Sequence, residues 1–182
     1  MWWWKPLTPN EADRVALSPV TADHFPVLLD WLRQPHIREW WGEPEIELGQ
    51  IRDMIEGRDT TRPFMIELEG RPVGYIQYWF LADNRDEIDQ WVDELPADTV
   101  GVDLIIGAKD LLSKGIGSTA VKLMVRHLLE TGRRNIIIDP DPQNTRAVRA
   151  YEKAGFQPVP HLAGRTGDYL IMQYDTNNET DT

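Results

Sequence analysis

The sequence predicts a single α/β domain built on a central mixed, largely antiparallel sheet with helices on both faces. Three observations lead there. A chain of 182 residues with 41% hydrophobic content and eight tryptophans is long enough for one substantial core and cramped for two. Its apolar residues fall partly into short extended runs and partly into longer stretches with helical spacing. Read in order, these give a strand, a cluster of helices, a hairpin, and then strand, helix, strand, helix, strand, strand, which suits one sheet covered on both sides.

Val15 to Pro19 opens as a strand, and Thr21 then caps a helix whose apolar positions Phe25, Leu28, Leu29 and Leu32 share a face. Pro35 interrupts it. A short second helix carries His36 to Trp41, and Leu48, Ile51, Met54 and Ile55 mark a third. Phe64 to Leu68 and Val73 to Phe80 flank Glu69-Gly-Arg-Pro72, a hairpin turn between central antiparallel strands. An acidic loop follows, with a helical piece near Glu87 to Glu94, and Val100 to Ile106 is the next strand. The helix from about Ile116 to Thr131 is amphipathic through Ile116, Ala120, Leu123, Met124 and Leu128, and Asn135 to Asp139 returns to a strand. Asn144 can cap the following helix with its side-chain oxygen, and Gly155 can take the left-handed conformation that closes it. Phe156 to Leu162 and Asp168 to Tyr174 form a last pair. The domain runs from 15 to 174, with 1–14 an N-terminal extension carrying three consecutive tryptophans and 175–182 a solvated tail.

The net charge of minus 11 disfavours a nucleic-acid or anionic-membrane role, because phosphates are neutralised by a basic footprint. It favours a cationic partner, or simply solubility. The acids concentrate: Asp83 to Asp98 holds seven of them and one base. With no cysteine, there is no disulfide framework, no thiolate zinc site and no cysteinyl intermediate. The four histidines, His127 among them, lack metal-ligand spacing, so no metal is expected. The first residues lack a signal-peptide pattern and no run reaches membrane-spanning length, which makes the cytoplasm the expected location. Exposed aromatics leave monomer and homodimer both open.

Two segments carry chemistry. In Leu112-Ser-Lys-Gly115-Ile-Gly117-Ser-Thr119, glycines sit where a loop turns into a helix, so backbone amides and the positive helix end can cradle a pyrophosphate, with Lys114 adding a mobile cation. The same residues satisfy a dinucleotide G-x-G-x-x-A fingerprint, with Asp139 as the acid about twenty residues on. Against that reading, Ala108 to Lys114 separates the glycines from the preceding strand. The second segment is Asp139-Pro-Asp-Pro-Gln-Asn144-Thr-Arg-Ala-Val-Arg-Ala-Tyr151, a strand exit, stiff turn and capped helix that aims Tyr151 at one point. Arg146, Arg149 and Lys153 form a basic stripe on that helix, either a solvated face or one turned to a nucleotide.

Together these segments resemble the acetyl-CoA-binding core of the GNAT N-acetyltransferase superfamily and, within it, the aminoglycoside 6′-N-acetyltransferases. The likeness covers roughly residues 15 to 174. It implies that a parallel strand pair splays at the cofactor, and that acetyl-CoA is the co-substrate. The amides of Lys114, Gly115, Ile116, Gly117 and Ser118 would hold the pyrophosphate and Asn144 the pantetheine arm. Leu112 departs from the family's usual Gln or Arg, which removes a side-chain phosphate contact but not the amide cradle. Backbone amides around Leu104 and Ile105 would polarise the thioester carbonyl, and Tyr151 would protonate the thiolate.

Asp103 shares a face with Ile105 inside an apolar strand, and an unpaired carboxylate there costs several kcal/mol, so it needs a reason. A structural cation is one. The Gly-Val-Asp103 match to the aminoglycoside enzymes implies another: Asp103 receives the substrate ammonium and passes its proton through water, because a carboxylate near pKa 3.9 is a poor direct base for an amine. Siderophore and hydroxylysine acyltransferases carry His at that position. The resemblance extends to Asp139 as a second amine carboxylate, although Asp139 also suits a turn-shaping role. Trp40, Trp41 and Gln77, in segments the aminoglycoside enzymes share, would line the site, and Trp91 would add a further wall. The expected activity is acetyl transfer to the 6′-amine of an aminoglycoside in a ternary complex. The alternatives are a siderophore-type amine acceptor, or a binder of CoA or antibiotic without turnover.

Overall fold

The computed structural model describes residues 14–84 and 90–176. The N-terminal tryptophans, the start of the acidic helical piece at 85–89 and the end of the tail at 177–182 lie outside the described residues. Strand β1 (Val15–Pro19) is followed by a 3-10 turn and three short helices, α1 (Phe25–Leu32), α2 (Pro35–Arg38) and α3 (Pro44–Ile55). Then come β2 (Arg62–Leu68), β3 (Arg71–Phe80), β4 (Val100–Ile106), α4 (Ile116–Glu130), β5 (Ile136–Ile138), α5 (Thr145–Lys153), β6 (Phe156–Pro158) and β7 (Met172–Tyr174). The seven strands order as β1-β2-β3-β4-β5-β7-β6. β1 pairs antiparallel with β2, β5 with β7 and β6 with β7, while β4 and β5 are parallel. This is the mixed sheet the sequence predicts.

The contacts divide into two compact units: one contains residues up to Gln77 together with Leu104–Ala120, the other Tyr78–Asp103 together with Val121 onward. The first has a core of Val20, Leu28, Trp31, Leu32, Ile37, Ile51, Met65, Tyr75 and Ile105. The second buries Leu81, Trp91, Val92, Leu95, Ile137, Val159, Leu162 and Ile171. No helix among the described residues is long and apolar enough to cross a membrane.

Several boundaries differ from the sequence reading, each for a local reason. Thr21 precedes a 3-10 turn, Ala22–His24, and the His24 ring nitrogen accepts the Thr21 amide at 3.0 Å, so the cap works through His24. The hairpin turn is only Glu69-Gly70, whose φ of 55° and 73° match the tight two-residue connection that suits strand twist; Arg71 and Pro72 already belong to β3. The last pair is short, three residues a side, because Pro160–Leu162 winds into a 3-10 turn. Gln90–Glu94 is likewise 3-10.

Candidate active site

Within the second unit, β4 and β5 pair at Val100↔Ile136 and Gly101↔Ile137, and the same register carried two residues further brings Asp103 level with Asp139. The run Ile136-Ile-Ile138 is buried throughout, so the residue that follows it starts deep in the fold. Asp139 retains a partly accessible surface there. Burial, reinforced by the charge of Asp103 and opposed by its own backbone amide, pushes its carboxyl up to about 7. The turn beyond is built by another acid: Asp141 accepts the Gln143 amide at 2.7 Å and its carbonyl accepts the Asn144 amide at 2.9 Å.

Asn144 caps α5 as its residue type predicts, its side-chain oxygen accepting the Ala147 amide at 3.2 Å. At the other end Gly155, φ 100°, packs so closely under Tyr174 that an added Cβ would lie 2.9 Å from that ring. Between these stops Tyr151 is 7% exposed. Burial first, then the charges of Asp103 and Asp139, raise its phenol above the ordinary range, so it stays protonated at neutral pH. Two carboxyls and a protonated phenol thus act on one another within this unit. Arg146, Arg149 and Lys153 are exposed on α5.

In the first unit, nine residues lie between Ile106 and Ile116, including a 3-10 turn at Lys109–Leu111. Ser113 and Gly115 take positive φ, 61° and 94°, so the chain reverses its handedness twice just before α4. The Ser118 hydroxyl donates to the Gly115 carbonyl at 2.9 Å, tying the turn to the first turn of α4. A Cβ on Gly117 would meet Leu104 Cδ1 at 3.6 Å and Ile106 Cγ1 at 3.9 Å, ordinary contacts. Protein packing therefore tolerates a side chain there. What the glycine leaves open is approach to the amides at the positive end of the 15-residue helix, an arrangement that fits a pyrophosphate.

A family model, "Acetyltransferase (GNAT) domain", matches residues 20–163. This chain is a GNAT acetyltransferase. It is similar to the aminoglycoside N(6′)-acetyltransferase type 1 of Klebsiella pneumoniae, 32% identical over 155 residues, which cover 81% of this chain and 76% of that one. The lysine N-acyltransferase MbtK of a Mycobacterium species is 27% identical over 156 residues, covering 82% of this chain and 62% of MbtK. Among solved structures, the AAC(6′)-Ib complex with ribostamycin and coenzyme A aligns with a TM-score of 0.76 at 29% identity, covering 93% of this chain and 99% of that one. The AAC(6′)-Ib complex with coenzyme A and kanamycin aligns at 0.75, with 28% identity and coverage of 92% and 99%.

As a GNAT enzyme the chain uses acetyl-CoA, and the amide turn described above is the part that fits its pyrophosphate. The dinucleotide reading falls with the family assignment, in keeping with the nine-residue gap between β4 and α4. Strand geometry corrects one expectation. An added Cβ on Gly74 of β3 would lie 2.4 Å from the Ile105 carbonyl oxygen, so Ile105 turns its polar groups toward β3; alternation then turns those of Leu104 to the opposite edge. On that edge the free strand face therefore carries the Leu104 amide, and not that of Ile105.

The other expected residues divide between surface and core. Trp41 is half-buried, packs on the first unit's core and meets Tyr75 edge-on, ring centres 6.0 Å apart. The fully buried Tyr75 donates its hydroxyl to Gln77 Oε1 at 2.5 Å, which fixes the orientation of that amide. Trp40 is half-buried. Trp91 is 6% exposed inside the second core, so its side chain is taken up by packing and is unsuited to the wall expected of it. His127 lies against Tyr78, 6.1 Å between ring centres. Sequence reasoning overlooked two things: Asp141, whose Asp-Pro-Gln context is an Asx-turn signal, and His36, for which no local pattern exists.

Proposed function

We propose that this chain acetylates the 6′-amine of an aminoglycoside, with acetyl-CoA as donor and by direct attack in a ternary complex. The observation that carries the reading is the cluster of Asp103, Asp139 and Tyr151: two carboxyls that raise one another's cost of ionisation, beside a phenol kept protonated. A polyamine relieves that cost by entering as the missing counter-charge. Asp103 and Asp139 hold and orient its ammonium groups. Acetyl-CoA, when bound, supplies an activated acetyl thioester. Asp139, poised at about 7, is better matched to accepting a proton at neutral pH than an ordinary aspartate, until the bound cation pulls it down again. One proton leaves the attacking ammonium through water to this carboxylate pair. The Leu104 amide polarises the carbonyl. As the new C–N bond forms and the C–S bond breaks, Tyr151 gives its phenolic proton to the departing sulfur, and the second proton of the acylated nitrogen, now strongly acidic, returns to the phenolate and leaves a neutral amide, a free thiol and Tyr151 as it began.

Trp40, Trp41 and the oriented Gln77 amide suit the apolar faces and hydroxyls of a cationic sugar. Asn144 has spent its oxygen on the helix cap, which leaves its amide nitrogen to meet the pantetheine arm. The matched aminoglycoside N(6′)-acetyltransferase is also covered over more of its own length, 76% against 62% for the lysine acyltransferase. The test is thiol release from acetyl-CoA over a panel of amines that includes kanamycin and a hydroxylated lysine, with mass spectrometry to place the acetyl group. Release with kanamycin and acetylation at its 6′-amine is the expected result; release with another amine alone would sink the assignment.

A further inference from the structure

We propose that His36 is a positioning residue for the coenzyme A turn, acting through the Ile106–Gly107 peptide; this rests on the reading that the turn before α4 holds the pyrophosphate. His36, on α2, donates through Nε2 to the Ile106 carbonyl at 3.1 Å, seventy residues away in sequence. The proton is therefore on Nε2. The other ring nitrogen is buried, and no group among the described residues bonds to it, so the Ile106 bond is the polar contact that orients the ring.

That carbonyl belongs to an unusually constrained peptide. Its N–H, on Gly107, donates to the Val73 carbonyl at 2.9 Å, so both poles of one peptide plane are held from different elements. Trp31 closes over it: a Cβ on Gly107 would come within 2.0 Å of the indole. The Ile106 carbonyl points away from β3, the edge on which Leu104 presents its amide. The Ile106 side chain in turn lies beneath Gly117, 3.9 Å from where a Cβ would stand, and so floors the first turn of α4. The chain of contact runs His36, Ile106, Gly117. Without the His36 bond the plane is held from its N–H side alone, so its carbonyl pole can tilt and shift the Ile106 floor under the cradle.

The test is calorimetric titration of the full chain with coenzyme A, which involves no turnover, for wild type, His36→Leu and His36→Gln. His36→Leu should bind coenzyme A about tenfold more weakly, with a matching rise in KM for acetyl-CoA and less than about a twofold change in KM for kanamycin. His36→Gln, whose amide nitrogen can replace Nε2 as donor, should recover most of the loss. If His36→Leu does not fold, His36→Asn replaces it, since its shorter amide falls short of the carbonyl and should weaken coenzyme A binding likewise. Unchanged coenzyme A affinity in the variant that lacks the bond, or an equal loss for kanamycin, overturns the inference and leaves the proposed function standing. Wild-type protein that does not bind coenzyme A overturns both.

Discussion

The two halves of β4 solve opposite problems. Its first half ends at Asp103, where a second carboxyl and a buried phenol crowd together and oppose one another's charge. Its second half ends at Ile106 and Gly107, where a backbone bond, a histidine and an indole agree on one geometry. The first is electrostatically uncomfortable and the second is tightly packed. Residues arranged against their own stability are where a ligand can be of use, whereas residues arranged for it hold the frame. Substitutions should therefore separate the halves: at the carboxylates activity should suffer without stability, and at the strand exit stability should suffer first.

The largest effect is expected at Asp103. Replacing it by Asn keeps the shape and removes the charge that anchors the amine, and turnover should fall by about 10²- to 10⁴-fold in the thiol-release assay. The melting temperature should hold or rise. Near-wild-type turnover, or a melting temperature lowered as in a core variant, would break the contrast by making Asp103 a structural residue.

Asp139 gives the contrast a pH signature. Its folded-state value, about 7, is above its ordinary 3.8. A carboxyl raised in this way adds stability that is fully present below about pH 4 and is lost as pH rises through about 7. Across that window the contribution of this one group should fall by roughly 1.4 kcal/mol per pH unit, and Asp139→Asn should flatten the decline. Denaturant midpoints of both proteins from pH 4 to 8 provide the check. Curves that stay parallel throughout would mean that Asp139 ionises freely and that the pair is not crowded. A polycationic ligand should protect the wild type more at pH 7.5 than at pH 5, because it prefers the ionised pair.

How far each half was readable in the sequence follows from the range of the forces involved. Asn144, Gly155 and the glycine turn before α4 were legible because caps and turns are local: the side chain, or its absence, acts within four residues. The succession of strands and helices along the chain was legible from periodicity, and Asp103 stood out as a charge among apolar neighbours. His36 and Gly107 were not, since their partners Ile106 and Trp31 are remote in sequence and nothing in a Pro-His-Ile string points to them. Trp91 misled for the converse reason. It lies in an acidic stretch that reads as surface, yet the core it enters is assembled from β5 and the last turns of the chain. Ile105 was chosen beside Leu104 because polar direction along a strand alternates with a phase that only the partner strand fixes.

The strand exit should answer to added volume. Gly107→Ala places a methyl carbon into the Trp31 indole, and because the peptide is held at both poles the backbone cannot yield cheaply. A loss of about 1–3 kcal/mol is expected from denaturant midpoints, with turnover per folded molecule reduced far less than in Asp103→Asn. If Gly107→Ala is as stable as wild type, the clamp is loose and the contrast between the halves loses one side.

A helical glycine completes the series and has the smallest expected effect. Gly49 lies inside α3 without a left-handed φ, and nothing but its own helix comes within 4 Å of the place where a Cβ would go. Gly49→Ala therefore adds no clash and removes the extra backbone freedom that glycine has in the unfolded chain, so it should stabilise by about 0.5–1 kcal/mol. The same chemical change, one added methyl, then has opposite signs at positions 49 and 107. Since Gly49 is placed neither in the carboxylate cluster nor at the strand exit, KM and turnover should be those of wild type at matched folded fraction. A destabilised Gly49→Ala would show that the sign at Gly107 reflects a general intolerance of the first unit to substitution. A stabilised one ties the Gly107 loss to the indole and the doubly held peptide, and so to the same residues through which His36 is proposed to set the coenzyme turn.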